Sequence, residues 1–162
     1  MSARFASSSG RLFVALGLLA LCCSCWFDSK STPKPLAPKA MLNVYQVSPA
    51  KTAMTTTAKL LDTGATVYLI EPPVIAAADV ATVSRVTDSL GQPAFGVQLN
   101  PAGAAKMSKA TAAAIGQRFA FVVNGVVLYA PKVNSPITSE MVIEGNMTVQ
   151  QRDDIFTALT GE

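Results

Sequence analysis

The sequence predicts an α+β domain, in which an antiparallel or mixed sheet carries two main helices packed on one face. Three observations lead there. Short runs rich in β-branched and aromatic residues recur between residues 42 and 99. Two stretches, 100–116 and 148–161, carry helix start and stop signals instead. Between them lies FAFVVNGVVLYAP, Phe119 to Pro131, which is uncharged and reads as two strands about a tight turn.

The elements follow in order. LNVYQV (42–47) and TVYLI (66–70) are strand-like, and Pro72-Pro73 ends the second. Residues 50–63 lack a clear period and are expected as a loop or short helix. AAADV (76–80) fits one helical turn. TVSRVT (82–87) and AFGVQL (94–99) flank a loop of turn formers, DSLGQP. Phe95, Val97 and Leu99 alternate with Ala94, Gly96 and Gln98, the period of a half-buried strand. Asn100-Pro101 supplies an N-cap and a proline suited to the first helical position. Ala104, Met107, Thr111 and Ile115 are expected on the inner face of that helix, with Gly116 as its stop. MVIEG (141–145) is a further strand. Thr148 and Gln151 make a capping box for the last helix. Val149, Ile155, Phe156 and Leu159 should face inward, with Gly161 near the end.

In the hairpin, Asn124-Gly125 is a two-residue turn signal, because both central residues need positive φ. It pairs Val123 with Val126, Phe121 with Leu128 and Phe119 with Ala130, and those six should meet the helices. The other face carries Ala120, Val122, Val127 and Tyr129. Cover by preceding segments is the simpler reading of that face. The functional reading makes it the candidate partner-binding face.

The first 27 residues have a different character. Arg4 and Arg11 make a basic start, and Leu12 to Phe27 is uncharged. The run is shorter than the ~20 residues that cross a bilayer comfortably. A secretory signal fits it, with an uncleaved membrane anchor as the alternative. All three cysteines, Cys22, Cys23 and Cys25, lie at its end, so no disulfide framework can exist further on. A cysteine just after an apolar signal core resembles the bacterial lipoprotein signal, whose thiol receives a diacylglyceryl group. Ser24 before Cys25 has the right size, although Cys22 stands where Leu is usual. Cys25 is therefore the expected lipidation site and Cys23 the alternative. The expected organisation is a signal over 1–24, a Pro/Lys-rich tether over 25–40 and a folded domain over 41–162. Loss of Arg4 and Arg11 lowers the formal charge from +3 to about +1. Together with the lack of a basic stripe, this argues against a nucleic-acid partner.

The chain has no histidine. A Cys/His zinc site, a Ser-His-Asp triad and a Cys-His pair are thereby excluded from the folded part. Ser48-Pro-Ala-Lys51 has S-x-x-K spacing but follows a strand and lacks the companion motifs of penicillin-binding enzymes. Asp153-Asp154 suit the early turns of the last helix, where they complement its dipole. No phosphate-binding glycine loop occurs. No catalytic residue, metal site or cofactor is expected.

An ordered series of short motifs is similar to the head subdomain of the first periplasmic domain of SecD, part of the SecDF protein-export accessory. Gly91-Gln92-Pro93 opens a strand; Gly103 and Lys106-Met107 lie in the helix; Ile115-Gly116 closes it. Ala120, Asn124-Gly125 and Ala130-Pro131 follow, then Ile137 and Ile143 to Thr148, and Leu159 at the end. YLIEPPVIAAADV (68–80) and MLNVYQV (41–47) resemble earlier parts of the same subdomain. Val126 and Tyr129 depart from it, since polar residues are usual at both places. SecD also has six membrane helices whose charged residues couple the proton gradient to export, and this sequence shows none of them. The resemblance thus implies no proton-driven step, only contact with exported polypeptides or the Sec machinery. The expectation is a non-catalytic, lipid-anchored binding domain in the bacterial cell envelope, facing the periplasm or the outer side of the cytoplasmic membrane. The alternative is a structural or assembly lipoprotein that keeps the fold but binds another envelope protein.

Overall fold

The structure, a computed structural model, describes residues 32–162. The expected signal and the lipidation candidates Cys25 and Cys23 lie outside the described residues. The strands are β1 (Leu42–Ser48), β2 (Thr55–Lys59), β3 (Thr66–Ile70), β4 (Val80–Thr87), β5 (Pro93–Leu99), β6 (Phe119–Val123), β7 (Val126–Tyr129) and β8 (Glu140–Ile143). The helices are α1 (Pro101–Ala113) and α2 (Val149–Thr160), with a 3-10 turn at Ala77–Asp79. The expected α+β class is the observed one.

The strands divide into two antiparallel sheets, ordered β2-β3-β1-β6-β7 and β4-β5-β8. The division follows from side-chain alternation. Leu42 and Val44 of β1 and Phe119, Phe121 and Val123 of β6 point into a first core. Val83, Phe95, Val97, Met141 and Ile143 of the smaller sheet meet them there, with Met107 of α1 and Phe156 and Leu159 of α2. On the other side of the larger sheet, Val67, Leu69, Ala120, Val122, Val127 and Ala130 form a second core. That sheet curls back on itself: the Leu61 N–H donates to the Val127 carbonyl at 2.9 Å, and Leu60 bridges Val127 in parallel. All five residues of β6 are consequently buried, as its uninterrupted apolar sequence requires.

Several local expectations change. Residues 55–59 form a strand, not a loop or helix. TTTAK buries little and so shows no apolar alternation, but β3 pairs with all five residues. The hairpin carries a bulge after Val122–Val127, so Phe121 pairs with Tyr129 instead of Leu128. Leu128 and Tyr129 then both lie against the first core, and Ala130 passes to the second. Val126 is left exposed. On α1 the buried residues are Gly103, Met107 and Thr111, while Ile115 lies beyond the helix end and is exposed. Val149 is exposed at the first position of α2. Asp153 lies past the first turn of α2 and makes ion pairs with Arg85 (3.0 Å) and Arg152 (2.9 Å).

The end of the expected tether is docked. Lys34 exchanges two backbone hydrogen bonds with Val83 on the edge of β4, at 2.8 and 2.7 Å. The Ala37 N–H donates to the Leu159 carbonyl at 2.8 Å, and Lys34 pairs with Glu162. Leu36 and Ala37, the apolar pair inside the proline-rich stretch, pack on the first core, and Ala40 is buried.

Candidate functional site

The expected partner-binding face is not a free surface. Ala120, Val122 and Val127 are buried in the second core, because the curl of the sheet closes over them. Tyr129 is half-buried, and the bulge moves it away from the other three. Asn124 and Gly125 form the expected turn, with φ of 48° and 85°. The Asn124 carboxamide oxygen accepts from the Met41 N–H at 3.0 Å, tying the turn to the start of β1.

Beside the second core an open cleft of about 840 Å³ exists. It arises where β1 stops. Ser48, the last residue of β1, pairs with Tyr68, but β3 begins two residues earlier, at Thr66. Thr66 and Val67 pair with β2 and, among the described residues, have no strand partner on the β1 side. β1 cannot continue, because Pro49 lacks an N–H. The Ser48 hydroxyl also bends the chain, donating to the Ala50 carbonyl at 2.6 Å and accepting from the Ala50 N–H at 3.3 Å. That local turn is the use the structure gives to the serine of the S-x-x-K match. The far wall is Gly116 to Arg118, where the Arg118 carbonyl accepts the Val47 N–H at 2.9 Å.

The lining is mainly apolar. Val47, Leu60, Val67, Tyr68, Tyr129 and Ala130 supply it, with Asp62, Gln117 and Arg118 at the rim. The Arg118 guanidinium donates to the Ala130 carbonyl at 2.8 Å, which fixes it against the wall. Nearby in the second core, Tyr45 has its phenol held above the ordinary value, by burial first and then by the charge of Glu71. It remains a neutral group at physiological pH. Such a surface suits binding of a chain with apolar side chains. Among the described residues no group of three or more metal-ligating side chains occurs, and no helix is long and apolar enough to cross a membrane.

Residues 51–161 match the model of the SecDF P1 head subdomain. The chain belongs to this family. Similar proteins include the protein translocase subunit SecDF of Thermus thermophilus, 36% identical over 89 residues. Another is the protein translocase subunit SecD of Aquifex aeolicus, 38% identical over 93 residues. These alignments cover 54% and 57% of this chain but only 12% and 19% of those relatives. Among solved structures, the chain is similar to the membrane component SecDF that enhances protein export, with TM-score 0.57 and 26% identity over 75% of this chain and 62% of the other. It is likewise similar to SecDF in its super-membrane-facing form, with TM-score 0.57, 27% identity and coverage of 75% and 18%.

Gly103, Lys106 and the neighbouring Thr111 hold the fold rather than the cleft. Gly103 lies against the 3-10 turn: a Cβ there would sit 2.5 Å from the Asp79 carbonyl oxygen. Lys106 reaches the buried Asp79 carboxylate at 2.7 and 2.9 Å. Burial pushes the Asp79 carboxyl up, but the Lys106 hydrogen bond, the Ala76 N–H and the Lys106 charge outweigh it and hold it below the usual value. The ion pair with Lys106 and the Ala76 N–H explain this shift. Thr111, buried on α1, donates to the Met107 carbonyl at 2.7 Å and accepts from the Ile137 N–H at 2.9 Å, pinning the loop before β8. Of the residues that carry the resemblance, Val47, Tyr68, Gly116 and Ala130 line the cleft. Sequence reasoning missed the cleft because it depends on where β1 ends. Pro49 was the available signal.

Proposed function

We propose that this chain is a non-catalytic binding domain of the bacterial cell envelope that takes extended segments of exported polypeptides in the cleft beside β3. Lipid at Cys25, or at Cys23, would tether it to a membrane on the side facing the periplasm or the outer surface of the cytoplasmic membrane. The Sec machinery is the natural neighbour for such a head. The observation that carries this reading is the vacated strand position: β3 runs past the end of β1, leaving room for an extended chain between Thr66–Val67 and Gly116–Arg118. A polypeptide entering there would gain backbone pairing with β3 and bury apolar side chains, which needs no particular sequence. Breadth of that kind suits an export accessory.

Binding of a chemically unfolded, carboxymethylated protein to the full-length chain tests this. The expected result is saturable binding that Tyr68→Glu weakens by about tenfold or more while leaving the fold intact. Equal binding by that variant would contradict the cleft as the site. The tether is tested separately, by labelling with a fatty-acid probe in cells. Labelling should disappear when Cys22, Cys23 and Cys25 are all changed to Ser, and persistence would refute lipidation.

A further inference from the structure

The three-stranded sheet has two edges, and they are treated differently. The β4 edge is covered by Lys34, a segment of the same chain seated through backbone hydrogen bonds in both directions. This sheet therefore accepts an extended chain at its border. The β8 edge has no such cover among the described residues. Among the described residues, β8 pairs only with β5, through Phe95–Ile143, Gly96–Val142, Val97–Met141 and Gln98–Glu140. The Leu99 N–H donates to the Ser139 carbonyl. Strand alternation then directs the backbone groups of Met141 and Ile143 toward β5, and those of Glu140 and Val142 away from the sheet. Across the outer face of this sheet a groove of about 440 Å³ runs from Ser84 over Gly96 and Gln98 to Val142 at the β8 border, and Val142 is 52% exposed.

Charge selects the occupant. From residue 133 to residue 151 the only charged side chains are Glu140 and Glu144, both exposed. Pairing of two copies through β8 would bring four glutamates onto one short border, which is unfavourable. A cationic chain meets no such penalty.

We infer that β8 is a second docking edge, which adds an extended polypeptide segment with apolar residues flanked by Lys or Arg. Its backbone pairs with Glu140 and Val142, its basic side chains meet Glu140 and Glu144, and an apolar side chain enters the groove beside Val142. This site shares no residue with the cleft and does not depend on it.

The probe is a synthetic peptide, Lys-Val-Thr-Val-Thr-Val-Lys, and its counterpart with Glu in place of both Lys. With the full-length chain, the basic peptide should slow hydrogen exchange at the amides of Glu140 and Val142, and the acidic one should not. Val142→Pro removes one outward N–H that β5 does not use. It should weaken the basic peptide by about tenfold or more. Glu140→Lys, an exposed change that leaves the backbone alone, should weaken the basic peptide and strengthen the acidic one. Tyr68→Glu should alter neither. Unchanged binding in both β8 variants would overturn the inference, as would peptide-induced protection at Thr66 in place of Glu140 and Val142. Protection at Glu140 and Val142 that appears without peptide, and grows with protein concentration, would show self-pairing and also overturn it.

Discussion

Gly103 sets how closely α1 lies on the turn before β4. Replacing a helical glycine with alanine ordinarily stabilises by roughly 0.5–1 kcal/mol. Here the added Cβ would meet the Asp79 carbonyl oxygen at 2.5 Å and the Asp79 Cβ at 2.9 Å. Backbone cannot swing aside as a side chain can, so the clash wins. Gly103→Ala should lower stability by about 1–3 kcal/mol, read from the denaturation midpoint of the full-length chain. An unchanged or raised midpoint would show that α1 shifts freely. Asp79, beside it, gives a pH dependence. Its carboxyl is held below the ordinary value, so its contribution is complete above the unfolded-state value near ~3.9 and is lost as pH falls through the folded value. Asp79→Asn should therefore flatten the acid limb of the stability profile below about pH 4 and leave its shape near neutrality unchanged. An acid limb identical to the parent's would assign the pH dependence to other carboxylates. Lys106 is half exposed, which keeps the ion pair's worth well below that of a fully buried one. The residue chemistry at Asn100, Asn124, Thr148 and Gly161 was readable in advance, because caps and tight turns are decided within a few residues. The Asp79–Lys106 contact was not, because its partners are separated by 27 positions.

The hairpin shows how an element can be legible while its orientation is not. Its strands and turn follow from β-branched content and Asn124-Gly125, and the structure places them at Phe119–Val123 and Val126–Tyr129. The bulge that exchanges the faces of Tyr129 and Ala130 has no signal in the flanking residues, which are apolar on both sides. β2 was missed for the opposite reason, since its partner β3 makes it a strand. With both faces of β6 buried, the two faces should respond alike to substitution. Phe121→Ala should cost about 3–5 kcal/mol. Val122→Ser should also destabilise, by a few kcal/mol, because it places a hydroxyl in the second core. Thermal melting of the two full-length variants checks this. A Val122→Ser protein that melts like the parent would mean that the sheet does not close over Val122.

For the whole molecule, α+β class was legible because runs of strand signals are broken by two helices with clear caps. The split into two sheets with a curled larger one was not, since closure depends on the Leu61–Val127 contact between distant segments. Docking of residues 33–40 was hidden by proline-rich composition, although Leu36 and Ala37 are the apolar groups that make it favourable. Family membership and the vacated strand position together lead to one claim, that the cleft receives exported chains. Site-specific photocrosslinking in living cells tests it most directly, with a photoreactive residue at Thr66 or Gln117 on the two walls, or at Leu90 as an exposed control, and a tagged protein held midway through export. The account predicts adducts to the exported chain from both wall positions and none from Leu90. Walls that yield no adduct, or no more than Leu90 yields, would contradict it.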